Sequence, residues 1–191
     1  MLAADPWTPR HISAKLALHF IGESATDEDR GAIEDAWVSS NGNLPSIHRA
    51  VVDRALLSEG KKYLWPWTWI SQLLRISGAT LYAGYDEAWD YFNDANRSPL
   101  ELLDEMGMNF WGIHQPNGFS NRRSDWISTE HLERRIRFAE MIFSRCNPMR
   151  SIDDMIDIVR PGEHTKSIIV EKNNSRDKFI MLACSPEFFE V

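Results

Sequence analysis

Trp7-Thr8-Pro9-Arg10-His11-Ile12-Ser13-Ala14-Lys15-Leu16-Ala17-Leu18-His19-Phe20 is the stretch from which the fold is first read. Ile12, Leu16 and Phe20 recur every fourth residue, which puts them on one face of a helix. Thr8 suits the N-cap, and Pro9 suits the first turn, where a missing N–H leaves no hydrogen bond unmade. Such a stripe has to be buried against something. With almost nothing before it, the pattern predicts a chain that begins inside a larger fold.

The segments that follow are also helical. Thr26 to Ser40 opens on a capping box with a short acid, Thr26 and Asp29, and turns Ile33, Ala36 and Trp37 inward. Gly42 suits its stop. After Asn43, the residues Leu44, Ile47, Val51 and Ala55 form a stripe that runs to Gly60. The short link between these two helices predicts an antiparallel hairpin. Lys61 to Trp67 is irregular, because Pro66 biases Trp65 away from helix. A fourth helix carries Trp69, Ile70, Leu73 and Leu74 to Ser77 and ends at Gly78. Shorter helices are expected over Asp86 to Ala95 and from Ser98-Pro99 to Met106, the latter closed by Gly107. Ser128 starts the clearest helix, with Leu132, Ile136, Ala139 and Phe143 inside and the pairs Glu130–Arg134 and Glu133–Arg137 outside. Ser151 to Val159 reads as helix, and Ser167 to Glu171 as strand or helix. Arg176 to Cys184 reads as the last helix, stopped before Pro186. The expected architecture is one all-α domain over residues 1–191. It is an irregular or orthogonal bundle of about seven or eight helices with at most one short strand pair.

Composition excludes several classes. The chain has 191 residues, 43% hydrophobic and 26% charged, which fits a globular domain rather than a disordered one. Its net charge of −7 argues against a nucleic-acid or anionic-membrane binder. Arg122, Arg123, Arg134, Arg135 and Arg137 read as a solvated, ion-paired face. No apolar run reaches the roughly 20 residues of a membrane span. The start of the chain has no charged and apolar signal pattern, which predicts a cytoplasmic protein as encoded. Cys146 and Cys184 have neither metal nor redox spacing and read as isolated thiols, with a disulfide open only to an exported protein.

The long loop from Met108 to Ile127 holds the polar candidates. His114 and Asp125 form a pair able to act as a general base, although Ser120 lacks a nucleophile-elbow context. Asn117-Gly118 predicts a turn with positive φ at Gly118, and Trp126 reads as part of the same structural loop. Eight tryptophans are many for this length. Trp65-Pro66-Trp67-Thr68-Trp69, together with Trp111, could present a sugar-stacking or partner-binding platform; the alternative is a loop that folds its indoles onto the bundle. His11 and His19 share a helix face with Lys15 but need further ligands to hold a metal, and His48 reads as a boundary residue. Asp153, Asp154 and Asp157 lack the glycine and glutamate of a calcium loop and read as a solvated face. Neither a metal nor a cofactor is expected.

Four segments in order resemble the C-terminal part of a bacterial family known as domain of unknown function 1800. They are Asp5-Pro6-Trp7-Thr8 running into Lys15-Leu16 and His19-Phe20; Gly42-Asn43-Leu44 with its helix, followed by Leu74-Arg75 to Gly78; Pro116-Asn117-Gly118-Phe119 leading to Asp125-Trp126-Ile127-Ser128; and Leu182-Ala183-Cys184-Ser185-Pro186-Glu187-Phe188. Met108 after Gly107, and Arg137 in place of an amide, depart from the family's pattern. The resemblance implies a helical protein whose relatives are longer, often exported and often encoded beside a sulfatase-like partner. It carries over no catalytic residues. Three functions stay open at this point: an interaction or scaffold component of a larger assembly, a hydrolase with its site in the 108–127 loop, or a truncated remnant. No catalytic motif favours the second. A protein partner fits the first, while the oligomeric state is not legible.

Overall fold

The computed structural model describes residues 5–58, 61–79, 103–110, 112, 118–145 and 150–190. Among these the chain is all-α, with nine α-helices described along their whole length, one 3-10 turn and no strand. They fall into two compact units. One comprises residues up to Tyr63 with Asn121–Arg123, and the other Leu64–Ser120 with Ser124–Val191.

The first unit is a three-helix bundle of α1 (Trp7–Phe20), α2 (Asp27–Ser39) and α3 (Leu44–Leu57), each packed on the other two. α1 starts earlier than the sequence predicts. Its first turn is held by the Asp5 carboxylate, which accepts from the Trp7 N–H at 2.9 Å, so Thr8 and Pro9 already lie inside the helix. Pro9 is harmless there, because first-turn N–H groups have no intrahelical acceptor. The buried face also differs. Pro9, Ser13 and Ala17 are buried and continue into Ile21, whereas Ile12 and Leu16 are half-buried and Phe20 is exposed. The face is turned by roughly one residue, about 100°. Small side chains at Ser13 and Ala17 let two neighbouring helices come close, which a row of large ones would prevent.

The α2 cap forms as predicted. The Thr26 N–H donates to Asp29 Oδ2 at 2.8 Å, and the Asp29 N–H donates to Thr26 Oγ1 at 3.2 Å. Arg54, in the last turn of α3, donates through Nε to Asp29 Oδ1 at 2.7 Å and through a terminal nitrogen to Glu28 at 3.1 Å. An ion pair between the start of α2 and the end of α3 means that the two helices run antiparallel. Gly42, with φ +79, closes α2 through its N–H to the Trp37 carbonyl at 2.9 Å. Asn43 then caps α3 by accepting from the Ser46 N–H. Ile47 and Val51 meet Ala17, Ile21, Ala25 and Ile33 in the core. Leu44, expected on this stripe, is exposed at the helix entrance. α3 stops at Leu57, where Ser58 turns extended; Gly60 lies outside the described residues.

The Thr26 hydroxyl hydrogen bond holds the Asp29 carboxyl below its ordinary value. Burial opposes this, and the Thr26 N–H and the Arg54 guanidinium reinforce it. A depressed folded-state pKa stabilises the fold above the unfolded value, about 3.9, and that contribution is lost as pH falls through it toward the folded value. The urea midpoint is therefore expected to fall on acidification below about pH 4, and Asp29→Asn should flatten that limb while lowering the midpoint at neutral pH. Parallel acid limbs in the two proteins would contradict this.

The second unit contains α4 (Pro66–Ser77), the 3-10 turn Arg123–Asp125, of which Arg123 belongs to the first unit, α5 (Thr129–Arg145), α6 (Ile152–Val159), α7 (Glu163–Val170), α8 (Ser175–Ala183) and α9 (Pro186–Phe189). α8 is the hub, packing on α5, α6, α7 and α9, while α4 packs on α6. Pro66 takes the first position of α4 after an extended Trp65, and Gly78, at φ +68, ends it. Ser128 Oγ accepts from the His131 N–H and caps α5. Ser167 to Val170 is helical, the last part of α7. The helix expected over 86–95 lies outside the described residues. Only the end of the next one is described, where the Gly107 and Met108 N–H groups bond back to Asp104 and Leu103.

Three expectations in this unit are corrected. The helix over Arg176 to Cys184 stops before Pro186 as expected, but it is not the last. Pro186 opens α9, a single turn capped by Ser185 Oγ, which accepts from the Phe188 N–H. The inner face of α5 is Arg135, Phe138, Ala139 and Ile142, with Leu132 exposed, rather than a stripe through Leu132 and Phe143. Arg135 is thus not on a solvated face: it is 1% exposed. Its guanidinium lies over the rings of Trp69 and Phe189, 5.3 and 4.8 Å from their centroids, and donates to the Leu64 carbonyl at 3.1 Å. The aromatic faces and the carbonyl offer what water would otherwise supply to the cation.

Candidate functional site

The three indoles of Trp65 to Trp69 separate. Trp69 is fully buried, donates through Nε1 to the Ala183 carbonyl at 2.9 Å, and meets Phe138 and Phe188 edge-on. It belongs to the core of the second unit. Trp65 is half-buried. Trp67 is 53% exposed. Positions 67 and 69 are about 200° apart around a helix, so one inward indole turns the other outward. The three do not form a shared platform.

Trp67 instead ends a row of rings. It meets Phe110 edge-to-face with centroids 6.3 Å apart, and Phe110 meets Phe119 the same way at 5.4 Å. Phe119 leads to Trp126 at 6.1 Å, and Trp126 to the His131 imidazole at 6.3 Å. The inner end is fixed: Trp126 is buried and donates to the Ser120 carbonyl at 2.8 Å. The outer end is tied to the loop through the Trp67 N–H, which points at Met108 Sδ. Trp67 and Phe110 therefore form an exposed aromatic corner braced from behind. The sequence reading named Trp67 and Trp126, quoted Phe119 only within a loop segment, and missed Phe110 and His131. Aromatic residues at 110, 119 and 126, on both sides of a turn-rich segment, were the available signal.

His114, Trp111 and Asn117 lie outside the described residues. Asp125 sits at the end of the 3-10 turn, exposed, accepting from the Ser124 hydroxyl at 3.2 Å. Gly118 has φ +68, as its turn was expected to require. His11 and His48 are exposed. His19 Nδ1 lies 3.2 Å from Asn121 Oδ1, and the His19 carbonyl accepts from Lys62 Nζ at 2.8 Å. Burial lowers the Lys62 pKa. Asp153, Asp154 and Asp157 face solvent on α6. Among the described residues no three His, Cys, Asp or Glu side chains are grouped to hold a metal.

Cys184 is a free thiol, and burial pushes its pKa up to about 12, so it offers no thiolate nucleophile near neutral pH. Cys146 lies outside the described residues. Arg134 and Arg137 pair with Glu130 and Glu133 as predicted, and Arg123 stacks on Tyr63 in the first unit. No described helix is long and apolar enough to cross a membrane.

The closing segment has a structural part to play. Glu187 accepts from the Gly162 N–H at 3.0 Å, at the start of α7, and from the Thr165 hydroxyl at 2.9 Å. Phe188 is fully buried, and the Leu64 N–H donates to the Phe189 carbonyl at 2.7 Å. Ser185-Pro186-Glu187-Phe188 therefore works as cap, helix start, staple and core anchor in turn. No curated protein and no solved structure matches the chain. A family model described as Protein of unknown function (DUF1800) matches residues 1–189, and the chain belongs to that family.

Proposed function

We propose that the chain is an interaction component of a larger assembly and that the aromatic corner of Trp67 and Phe110 is its contact surface for a protein partner. The observation that carries this reading is that a large indole is held outward on a helix whose next turn is locked in the core. Such a side chain loses little freedom on binding, and exposed tryptophans anchored this way are typical centres of binding energy. The exposed Asp125 carboxylate and the inert Cys184 thiol add no support for a catalytic reading.

A photoreactive phenylalanine analogue placed at position 67 in the producing cells should give one discrete cross-linked species. Phe110→Ala should weaken that complex by about 2 kcal/mol, roughly thirtyfold, with helical content unchanged. Absence of a discrete species, or a species indifferent to Phe110→Ala, would remove the proposal.

A further inference from the structure

A concave feature lies in the second unit, apart from the aromatic corner. It is a cleft of about 360 Å³ lined by Phe143 of α5, by Arg150, Ser151, Ile152 and Asp153 at the entrance of α6, and by Ser175 and Lys178 of α8. That volume is at the small end of the range for small-molecule sites. The walls are positioned from behind. The Arg150 N–H donates to the Ser77 carbonyl at 2.6 Å, and Phe143 packs on the buried Phe179 with centroids 5.6 Å apart.

Two basic residues, Arg150 and Lys178, line the same cleft. Arg30, Arg54, Arg134, Arg137 and Arg176 each hold a carboxylate, and acidic residues outnumber basic ones. Arg150 and Lys178 form no ion pair with any described residue, although Asp153 lines the same cleft. The Ser175 hydroxyl likewise has no described partner. Arg150, Lys178, Ser151 and Ser175 thus line one space together with Phe143 and Asp153, with Ser151 Oγ also accepting from the Asp154 N–H.

We infer that this cleft binds a small phosphomonoester that also carries hydroxyl groups, a sugar phosphate in chemical class. Arg150 and Lys178 supply charge-assisted donors to the phosphate, the guanidinium in the planar fork that suits it and the ammonium as a point charge. Serine hydroxyls complete the donor set. Asp153 accepts a ligand hydroxyl and repels a second anionic group, which favours a monoester over a polyphosphate. Phe143 and Ile152 cover the carbon skeleton. The inference is independent of the partner surface proposed above.

The test uses the whole chain, with inorganic phosphate and ribose 5-phosphate as probes and ribose and sodium chloride at matched ionic strength as controls. Thermal unfolding and titration calorimetry are the readouts. Both phosphate probes should raise the melting temperature in a saturable way, ribose 5-phosphate at lower concentration. Arg150→Ala and Lys178→Ala should each weaken binding about tenfold, and Asp153→Asn should weaken ribose 5-phosphate while sparing inorganic phosphate. Arg150→Lys should retain part of the affinity, so loss of charge is separable from loss of fold. A response to phosphate no greater than to chloride, or one unchanged in both alanine variants, would overturn the inference.

Discussion

Trp69→Ala should lower the unfolding free energy by about 3–5 kcal/mol, the cost of removing a fully buried large aromatic side chain. Three things are lost together. The core loses the volume between Phe138 and Phe188, the Ala183 carbonyl loses its indole donor, and the Arg135 guanidinium loses one of its two ring faces. Trp67→Ala, two residues earlier, should change stability by less than about 1 kcal/mol, because that side chain is largely in water already. Urea unfolding of the two variants checks the contrast. Equal losses would mean that the core of this unit does not centre on Trp69.

Arg135→Ala is the second large effect, at about 3 kcal/mol. It leaves the Leu64 carbonyl without that donor, in a buried setting where an unmet polar group costs about 1–3 kcal/mol. It also removes contacts of the cation with two rings, worth about 2 kcal/mol when desolvated. Arg135→Met keeps most of the volume and should cost less, since a buried charge exchanged for an apolar side chain of similar size is often nearly neutral. The expected order, alanine worse than methionine, is read from chemical denaturation midpoints. Methionine as harmful as alanine would show that the guanidinium's charge and hydrogen bond, rather than its packing, dominate.

The parts of the fold legible in the sequence are those decided within one helical turn. Thr26 with Asp29 caps α2 as expected, and the helices expected to begin at Asn43, Ser128 and Ser151 begin there, each capped by that side chain, because a cap needs only a short polar side chain and the next three N–H groups. The turns at Gly42, Gly78 and Gly107 were legible for the same reason. What periodicity did not fix is which way each helix rolls. α1 turns Ser13 and Ala17 inward rather than Phe20, and α5 buries Arg135 while leaving Leu132 in water. Those choices depend on what the facing helices offer: close approach in one case, two aromatic faces and a carbonyl in the other. The site followed the same rule. The residue types of the aromatic corner stood in the sequence, but the assignment of Trp69 to the core and Trp67 to the surface depends on α8 and α9, more than a hundred residues away.

That separation bears on how the protein comes off the ribosome. The first bundle is made mainly from neighbours in sequence, and chains of this kind close quickly once synthesised. The second unit waits. Its Leu64–Phe189 and Trp69–Ala183 hydrogen bonds join parts of the chain made far apart in time. Until Ser185 to Phe189 emerges, Trp69 and Arg135 lack a wall, and the nascent second unit displays an aromatic core to its surroundings. This interval is when a chaperone would find most to bind, and a ribosome stalled before codon 185 would leave a folded first bundle tethered to a sticky, unfinished second one.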